Sequence, residues 1–209
     1  MSTVLALTSS ALGTQSVSNR LVAHALDRFR ASEPGAHVLV RDLGSDHIPH
    51  IDGEVVAALR GGASETAGQA RALALSEALL EELVAADVLV IGAPMYNFGI
   101  STTLKAWFDY VLRAGITFRY SEAGPEGLLK GKRALVILSR GGLYSEGPAR
   151  AMDFQEPHIL ALLRFMGIDD VAVVRAEGLG FGPEARDTAI AGAEAEIEQA
   201  FAGVWREAA

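Results

Sequence analysis

Five short apolar runs recur along the chain, and a segment with helical periodicity follows each of them. The runs are continuous rather than alternating, which is typical of strands that are buried on both faces of a parallel sheet. They occupy residues 4–7, 38–40, 88–91, 135–138 and 171–174. Strict alternation of such strands with helices predicts an α/β domain with a doubly wound, five-stranded parallel sheet and helices on both faces.

The segments between the runs carry recognisable helix signals. An apolar stripe over residues 21–29 predicts the first helix, and a short helix is expected over residues 54–60. Further helix starts are predicted at Ser64 or Thr66, at Ser101 and at Pro157. Residues 118–128 are expected to form a hairpin, and a last helix is expected from about Glu184 to Trp205. With five strands, the common order is the flavodoxin-like 2-1-3-4-5.

Composition narrows the class of protein. The 209 residues fit one domain, 1–209, and the absence of cysteine excludes thiol catalysis and cysteine-ligated metal centres. No apolar run approaches the ~20 residues of a membrane span, and the first run is too short for a secretory signal, so we expect a cytoplasmic protein with no membrane partner. The net charge of −8 opposes binding to nucleic acid.

Three polar or aromatic loops follow three of the predicted strands. A hydroxyl-rich loop covers residues 9–18, a second loop contains Met95, Tyr96, Asn97 and Phe98, and a third contains Ser139, Arg140, Gly141 and Gly142. Ligands bind at the carboxyl ends of the strands in open α/β sheets, so we expect the three loops to form one crevice. Their chemistry suits a phosphate together with a flat ring rich in heteroatoms.

The first loop leads directly into the first helix. A helix N-terminus presents free N–H groups that bind phosphate, and the hydroxyls of Ser10, Ser16 and Ser18 add donors without adding charge. The loop matches neither the P-loop nor the Gly-x-Gly-x-x-Gly fingerprint, which weighs against a dinucleotide here and is compatible with the single terminal phosphate of FMN. Ordinary capping and turn chemistry is the alternative interpretation.

The other two loops offer groups that could contact a ring. Tyr96 and Asn97 can form hydrogen bonds, Met95 and Phe98 supply apolar contact, and the two glycines allow close approach of the backbone. A buried aromatic turn and a simple tight turn are the competing interpretations. Arg140 could neutralise an anion, although an ordinary surface arginine is the more common case.

Other chemistries find little support. Only His47 and His50 lie close together among the five histidines, and no metal-binding motif surrounds them, so no metal is expected. No Gly-x-Ser-x-Gly motif supports a serine hydrolase. The sequence therefore offers no side chain suited to metal-dependent or serine-hydrolase catalysis.

With these residues considered, the chain resembles the FMN-dependent NADH-azoreductase family, a branch of the flavodoxin-like quinone reductases. The resemblance spans nearly the whole length, and its most specific part is the motif of residues 93–98. It also rests on residues 4–10, 16–19, 100–101, 104–105, 108–109, 114–115, 117–120, 124–128, 131–132, 139–142 and 182–184.

The resemblance implies a function and a set of site residues. Ser10, Ser16, Val17 and Ser18 would hold the FMN phosphate, while Met95–Phe98 and Ser139–Gly142 would surround the ribityl chain and the ring. Phe118 and Tyr120 would lie on the substrate side. The family implies a cytoplasmic homodimer that transfers two electrons from NADH, or NADPH, to quinones and azo compounds. It also implies that the flavin itself is the chemical centre, so we expect no catalytic side chain. Tyr110, which lies off the apolar stripe of its helix, could offer an aromatic ring to a second face.

Two other classes remain open from the sequence. A flavodoxin-type one-electron carrier is the first alternative, although such carriers usually have a Thr/Gly-rich phosphate loop that this chain lacks. A flavin-binding sensor is the second, but no basic face or additional partner domain supports it. Stepwise one-electron reduction of the flavin would distinguish the carrier, and oxidation of NADH would disfavour the sensor.

Overall fold

In the computed structural model, which describes residues 1–62 and 64–203, strands and helices alternate as the apolar pattern predicts. The strands are β1 (Thr3–Thr8), β2 (His37–Asp42), β3 (Val88–Pro94), β4 (Phe118–Ser121), β5 (Gly124–Gly127), β6 (Arg133–Ser139) and β7 (Asp170–Ala176). The helices are α1 (Val17–Ser32), α2 (Gly53–Gly61), α3 (Ala67–Ala85), α4 (Thr102–Val111), α5 (Glu156–Met166) and α6 (Pro183–Gly203).

Five parallel strands form the main sheet, in the order β2-β1-β3-β6-β7. The remaining two strands, β4 and β5, pair antiparallel in a separate hairpin, so the hairpin expected over residues 118–128 is confirmed. The central strand β3 is buried along its whole length, which explains its continuous apolar sequence. Because β1, β3 and β6 are neighbours in this order and run parallel, their carboxyl ends lie side by side at one edge of the sheet.

Side chains that alternate along the strands enter two separate apolar clusters. Val4 and Ala6 of β1 pack in one cluster with residues of α1 and α6. Leu5 and Leu7 pack in the other with residues of α2, α3, α4 and α5. Because successive side chains on a strand point to opposite faces, the two clusters lie on opposite sides of the sheet.

The helix starts follow the predicted capping residues. Thr66, rather than Ser64, caps α3 in a capping box with Gln69, and the Ser101 hydroxyl accepts the N–H of Leu104 at the start of α4. Pro157 lies in the first turn of α5. The short helix predicted over residues 54–60 is α2. The predicted end of the last helix, Trp205, lies outside the described residues.

The side chain of Tyr110 is buried, so the interpretation that it offers an aromatic ring to a second, exposed face is wrong. Tyr110 is only 1% exposed and belongs to the same apolar cluster as Trp107. The physical reason is that Tyr110 lies in an apolar cluster to which α2, α3 and α5 also contribute, so its side chain is enclosed between helices. Helix α4 is therefore packed on the side of Tyr110 as well as on the side of its apolar stripe.

The hairpin is fixed against the end of α5 by a contact between two glycines. A Cβ atom on Gly127 would lie 2.1 Å from the backbone nitrogen of Gly167, so only glycine fits there. Beside this contact, the Leu129 N–H donates to the Met166 carbonyl oxygen at 2.8 Å.

Among the described residues, no helix is long and apolar enough to cross a bilayer.

Candidate functional site

The loops after β1, β3 and β6 contact one another through hydrogen bonds. The phenol oxygen of Tyr96 accepts the Ala11 N–H at 3.0 Å and lies 3.4 Å from the Ser10 hydroxyl. On the other side, the Met95 N–H donates to the Ser139 carbonyl oxygen at 2.9 Å. The middle loop therefore joins the other two, and the three predicted loops form one continuous edge.

The first loop places three buried hydroxyls around the start of α1. Ser16 is the N-cap, and its hydroxyl accepts the Asn19 N–H at 3.2 Å and lies 3.0 Å from the Ser18 hydroxyl. Ser10, Ser16 and Ser18 are all buried, and the Val17 side chain packs in the core. The Val17 and Ser18 N–H groups have no acceptor in the described part of the chain. They remain available to an anion.

The middle loop is a two-residue turn in an unusual conformation. Asn97 has a φ of 48° and Phe98 a φ of 72°, and hydrogen bonds between Tyr96 and Gly99 close the turn on both sides. Non-glycine residues in the left-handed region cost free energy and persist mainly at functional turns. The rings of Tyr96 and Phe98 stay partly exposed, so this turn presents two aromatic side chains at the edge.

The third loop is tied to residues 178–180, which follow β7. The carbonyl oxygen of Gly141 accepts the Gly180 N–H at 2.8 Å, and that of Gly142 accepts the Gly178 N–H at 2.9 Å. Within the described residues, the N–H groups of both Gly141 and Gly142 lack an acceptor. A backbone with its carbonyls engaged and its N–H groups free is suited to a ligand that accepts hydrogen bonds.

Arg140 is neither a surface residue nor a free anion-binding group, and both interpretations of its side chain are wrong. The guanidinium is 0% exposed and contacts Asp153, Glu156 and Glu177, while its Nε donates to Gln155. Its backbone groups are engaged as well, with the N–H donating to Ala176 and the carbonyl oxygen accepting from Leu179. Arg140 therefore acts within the protein and cannot offer its charge to a ligand.

Three residues that the sequence analysis missed belong to this edge. Gln155 is buried, accepts from Arg140 and donates to the Ala93 carbonyl oxygen of β3 at 2.8 Å. Tyr144 packs its ring edge-on against Phe98, with centroids 6.1 Å apart. Glu177 accepts hydrogen bonds from Arg140, Tyr144 and Ser145. The signal that could have revealed Glu177 is its place shortly after the predicted strand of residues 171–174, at the same edge as the other loops.

Glu177 is ionised at neutral pH despite its burial. Desolvation acts to raise its pKa, but hydrogen bonds from Ser145, Arg140 and Tyr144, together with the charge of Arg140, hold the pKa below its ordinary value. A permanent negative charge therefore lies directly behind the third loop.

Phe118 and Tyr120 lie apart from the three loops. Phe118 packs against Phe165, and Tyr120 packs edge-on against Phe118 while remaining 73% exposed. Both line a cavity of about 520 Å³ shared with residues of α2, α4 and α5. Within one chain, the structure thus does not bring the two predicted substrate-side residues into the crevice of the loops.

The donor set fits the terminal phosphate and polar ring of FMN. Buried hydroxyls and helix N–H groups lie at one end, and N–H groups and aromatic side chains lie at the other. No cluster of histidine and carboxylate side chains suited to a metal occurs among the described residues.

Comparison with known proteins defines the class. Residues 2–201 match the model of a family described as having a flavodoxin-like fold. The chain is 54% identical over 197 residues to an FMN-dependent NADH:quinone oxidoreductase of Hyphomonas neptunium, with 94% of each chain covered. It is 49% identical over 196 residues to a protein of the same name from Ralstonia nicotianae, covering 93% of this chain and 94% of the other.

Solved structures agree with this class. An azoreductase from Bacillus anthracis superposes with a TM-score of 0.86 at 30% identity, covering 96% of this chain and 99% of that one. An FMN-dependent NADH-azoreductase from the same species, solved in complex with FMN, gives a TM-score of 0.85 at 28% identity, with 95% and 99% covered. The chain therefore belongs to the flavodoxin-like family that contains the FMN-dependent NADH:quinone oxidoreductases and NADH-azoreductases. The predicted resemblance is confirmed.

Proposed function

We propose that the protein is an FMN-dependent enzyme that transfers two electrons from NADH to quinones and azo compounds, cleaving azo bonds to amines. The observation that carries the proposal is the meeting of three loops whose free donors and aromatic rings match FMN. The names of the relatives favour an oxidoreductase over a flavodoxin-type carrier.

We place the FMN phosphate at the start of α1. Ser10, Ser16 and Ser18 would contribute hydroxyls, and Val17 and Ser18 would contribute N–H groups. The hydroxyls of Ser16 and Ser18 share one hydrogen bond, so the hydroxyl that accepts it keeps its own proton free. That proton can be donated to a phosphate oxygen, which supports this arrangement. The helix N-terminus also carries partial positive charge, which favours a phosphate there.

The ring would lie between the second and third loops. Met95, Tyr96, Asn97 and Phe98 would contact it from one side, and Ser139, Gly141 and Gly142 from the other. When bound, FMN accepts two electrons and passes them on. The residues of the loops would bind and orient it and exclude water, and Arg140 would support the loop without contacting FMN.

Donor and acceptor would use the same opening in turn, giving a ping-pong cycle. Tyr96, Asn97 and the free N–H groups of the third loop are neither strong acids nor strong bases, so they support binding and orientation rather than proton transfer. NADH is the donor named for the relatives, and NADPH is the alternative. A reaction that draws on NADH in a chain without cysteine fits a cytoplasmic location.

Steady-state kinetics test this function. Initial rates at several concentrations of NADH and of a quinone are expected to give parallel double-reciprocal lines, and anaerobic NADH alone is expected to bleach the bound flavin. Intersecting lines with no bleaching until the acceptor is added would rule out the ping-pong cycle. Purified protein without FMN affinity would rule out the enzyme class itself.

We further propose a homodimer with the active sites at its interface. Tyr120 stands exposed on a hairpin that the Gly127–Gly167 contact holds rigid. Ile51 and Ile116 are also exposed large apolar side chains on this part of the surface. A second copy that receives this hairpin would bring Phe118 and Tyr120 to the open side of the partner's loops, which supplies the wall that one chain lacks.

A further inference from the structure

Arg140 lies at the centre of a buried cluster of charges directly before Gly141. Its Nη2 lies 2.9 Å from Asp153 and 3.3 Å from Glu156, its Nη1 lies 2.9 Å from Glu177, and its Nε donates to Gln155 at 2.8 Å. Burying a guanidinium is costly unless its hydrogen-bonding capacity is used. Here both terminal nitrogens and Nε have partners, which fixes the side chain in one orientation.

Glu177 closes the third loop on itself through a single oxygen atom. Its Oε1 accepts Nη1 of Arg140, the Tyr144 N–H at 2.8 Å and the Ser145 N–H at 3.0 Å. The guanidinium belongs to Arg140, near the start of the third loop, and the two N–H groups belong to Tyr144 and Ser145, shortly after its end. One carboxylate therefore sets the distance between the two ends of the loop.

In the backbone between these ends, three successive carbonyl oxygens face residues 178–180. The carbonyl oxygens of Arg140, Gly141 and Gly142 accept N–H groups of Leu179, Gly180 and Gly178, respectively. In a trans peptide the N–H points away from the carbonyl oxygen of the same unit. The N–H groups of Gly141, Gly142 and Leu143 are consequently turned away from residues 178–180, and they have no acceptor within the described residues.

We propose that Arg140 and Glu177 are positioning residues that hold these three N–H groups ready to hydrogen bond the polar edge of the flavin ring. This inference rests on the FMN-dependent function proposed above. Donors fixed before the reaction stabilise the negative charge that the ring gains on reduction, because they need no reorganisation at that moment. The pair thus affects the affinity for FMN and its reduction potential without contacting FMN.

The variant Glu177→Gln tests this role because it keeps the shape of the side chain and removes its charge. We expect the FMN dissociation constant, measured by fluorescence titration of FMN-free protein, to rise about tenfold, which corresponds to about 1.4 kcal/mol. The reduction potential of the bound flavin should shift as well, because the donors and the charge behind them both change. Amide hydrogen exchange at Tyr144 and Ser145 in the FMN-free protein should accelerate by about tenfold.

Glu82→Gln is the matched control. Glu82 accepts Nε and Nη2 of Arg41 in a largely buried pair that joins β2 to α3, away from the three loops. Both variants should lower the melting temperature, but only Glu177→Gln should change the FMN affinity and the reduction potential. If Glu177→Gln fails to fold, Glu177→Asp replaces it in the test. This variant keeps the charge but has a shorter side chain, so its carboxylate lies farther from the loop. The same changes in affinity and potential are expected, at smaller size.

The outcomes separate this inference from the proposed function. Wild-type protein that does not bind FMN would overturn the proposed function. Wild-type protein that binds FMN, with both Glu177 variants within twofold of its affinity and with an unchanged potential, would overturn the positioning role alone. A loss of stability in Glu177→Gln equal to that in Glu82→Gln, with no shift in potential, would show that the cluster is only structural.

Discussion

The phenol oxygen of Tyr96 accepts a hydrogen bond from the backbone N–H of Ala11 at 3.0 Å. Tyr96 follows β3 and Ala11 follows β1, so this contact joins the proposed ring-binding loop to the proposed phosphate-binding loop. A ligand that spans both loops would depend on their relative position. Removing the phenol oxygen should therefore weaken the binding of FMN.

Tyr96→Phe removes the phenol oxygen and keeps the ring. We expect FMN affinity to fall by about 2- to 10-fold, because a neutral hydrogen bond contributes about 0.5–1.5 kcal/mol and tenfold corresponds to about 1.4 kcal/mol. Flavin titration of the FMN-free protein measures the change. An affinity equal to that of the wild type would show that the Ala11 contact does not organise the site.

Ser16→Ala combined with Ser18→Ala removes two hydroxyls at the start of α1. Each charge-assisted hydrogen bond to phosphate contributes about 1.5–3 kcal/mol, so losing two should weaken FMN binding by roughly two to four decades. The same change removes the N-cap of α1 and should cost about 1 kcal/mol of stability. Both quantities are measured on the same protein, by flavin titration and by denaturation.

Thr66→Ala is the control for the lost cap. Thr66 caps α3, far from the three loops, and its loss should lower stability by a similar amount without altering FMN binding. Unchanged FMN affinity in the double serine variant would contradict the placement of the phosphate at α1.

Tyr120→Ala tests the contribution of the hairpin to the partner's site. The wild type should scatter light as two 22.0 kDa chains at micromolar concentration. Tyr120→Ala should raise the KM for quinones, with little effect on the affinity for FMN, whereas Tyr120→Phe should retain the wild-type KM because it keeps the ring. A monomer with FMN bound would contradict the proposed interface.

Gly127→Ala should destabilise the protein by about 1–3 kcal/mol, because its Cβ atom would meet the backbone of Gly167. Chemical denaturation measures this cost. Gly192→Ala is the control, since a Cβ atom meets nothing within 4 Å at that position in α6. The helical propensity of alanine should make this second variant as stable as the wild type or more stable. Equal stability of both variants would mean that the hairpin does not depend on the two-glycine contact.

The depressed pKa of Glu177 predicts a dependence of stability on pH. A carboxyl group whose folded pKa lies below its unfolded value stabilises the fold fully above the unfolded pKa, and this contribution disappears as the pH falls through the folded pKa. The ordinary value is 4.5, so the loss should occur below that pH. Denaturation of wild type and Glu177→Gln across acidic pH should show a stability difference that narrows there. A constant difference would show that Glu177 does not titrate as proposed.

The sequence by itself determined the elements of the main sheet and the loops at its edge. Continuous apolar runs specify strands buried on both faces, and Thr66, Ser101 and Pro157 specify helix starts, because both effects act over a few neighbouring residues. The loops of Tyr96 and Gly141 could be predicted for the same reason, since each directly follows a buried strand.

Only the tertiary structure decided the environments of Arg140, Tyr110 and Glu177. Arg140 and Glu177 are 37 residues apart and meet because β6 and β7 are neighbours in the sheet. Tyr110 is buried because it lies in the apolar cluster that α4 shares with α2, α3 and α5. Burial and ion pairing depend on what packs from distant parts of the chain, which no local pattern records. A charged residue after a strand therefore looks the same in the sequence whether it faces water or lies buried behind a loop.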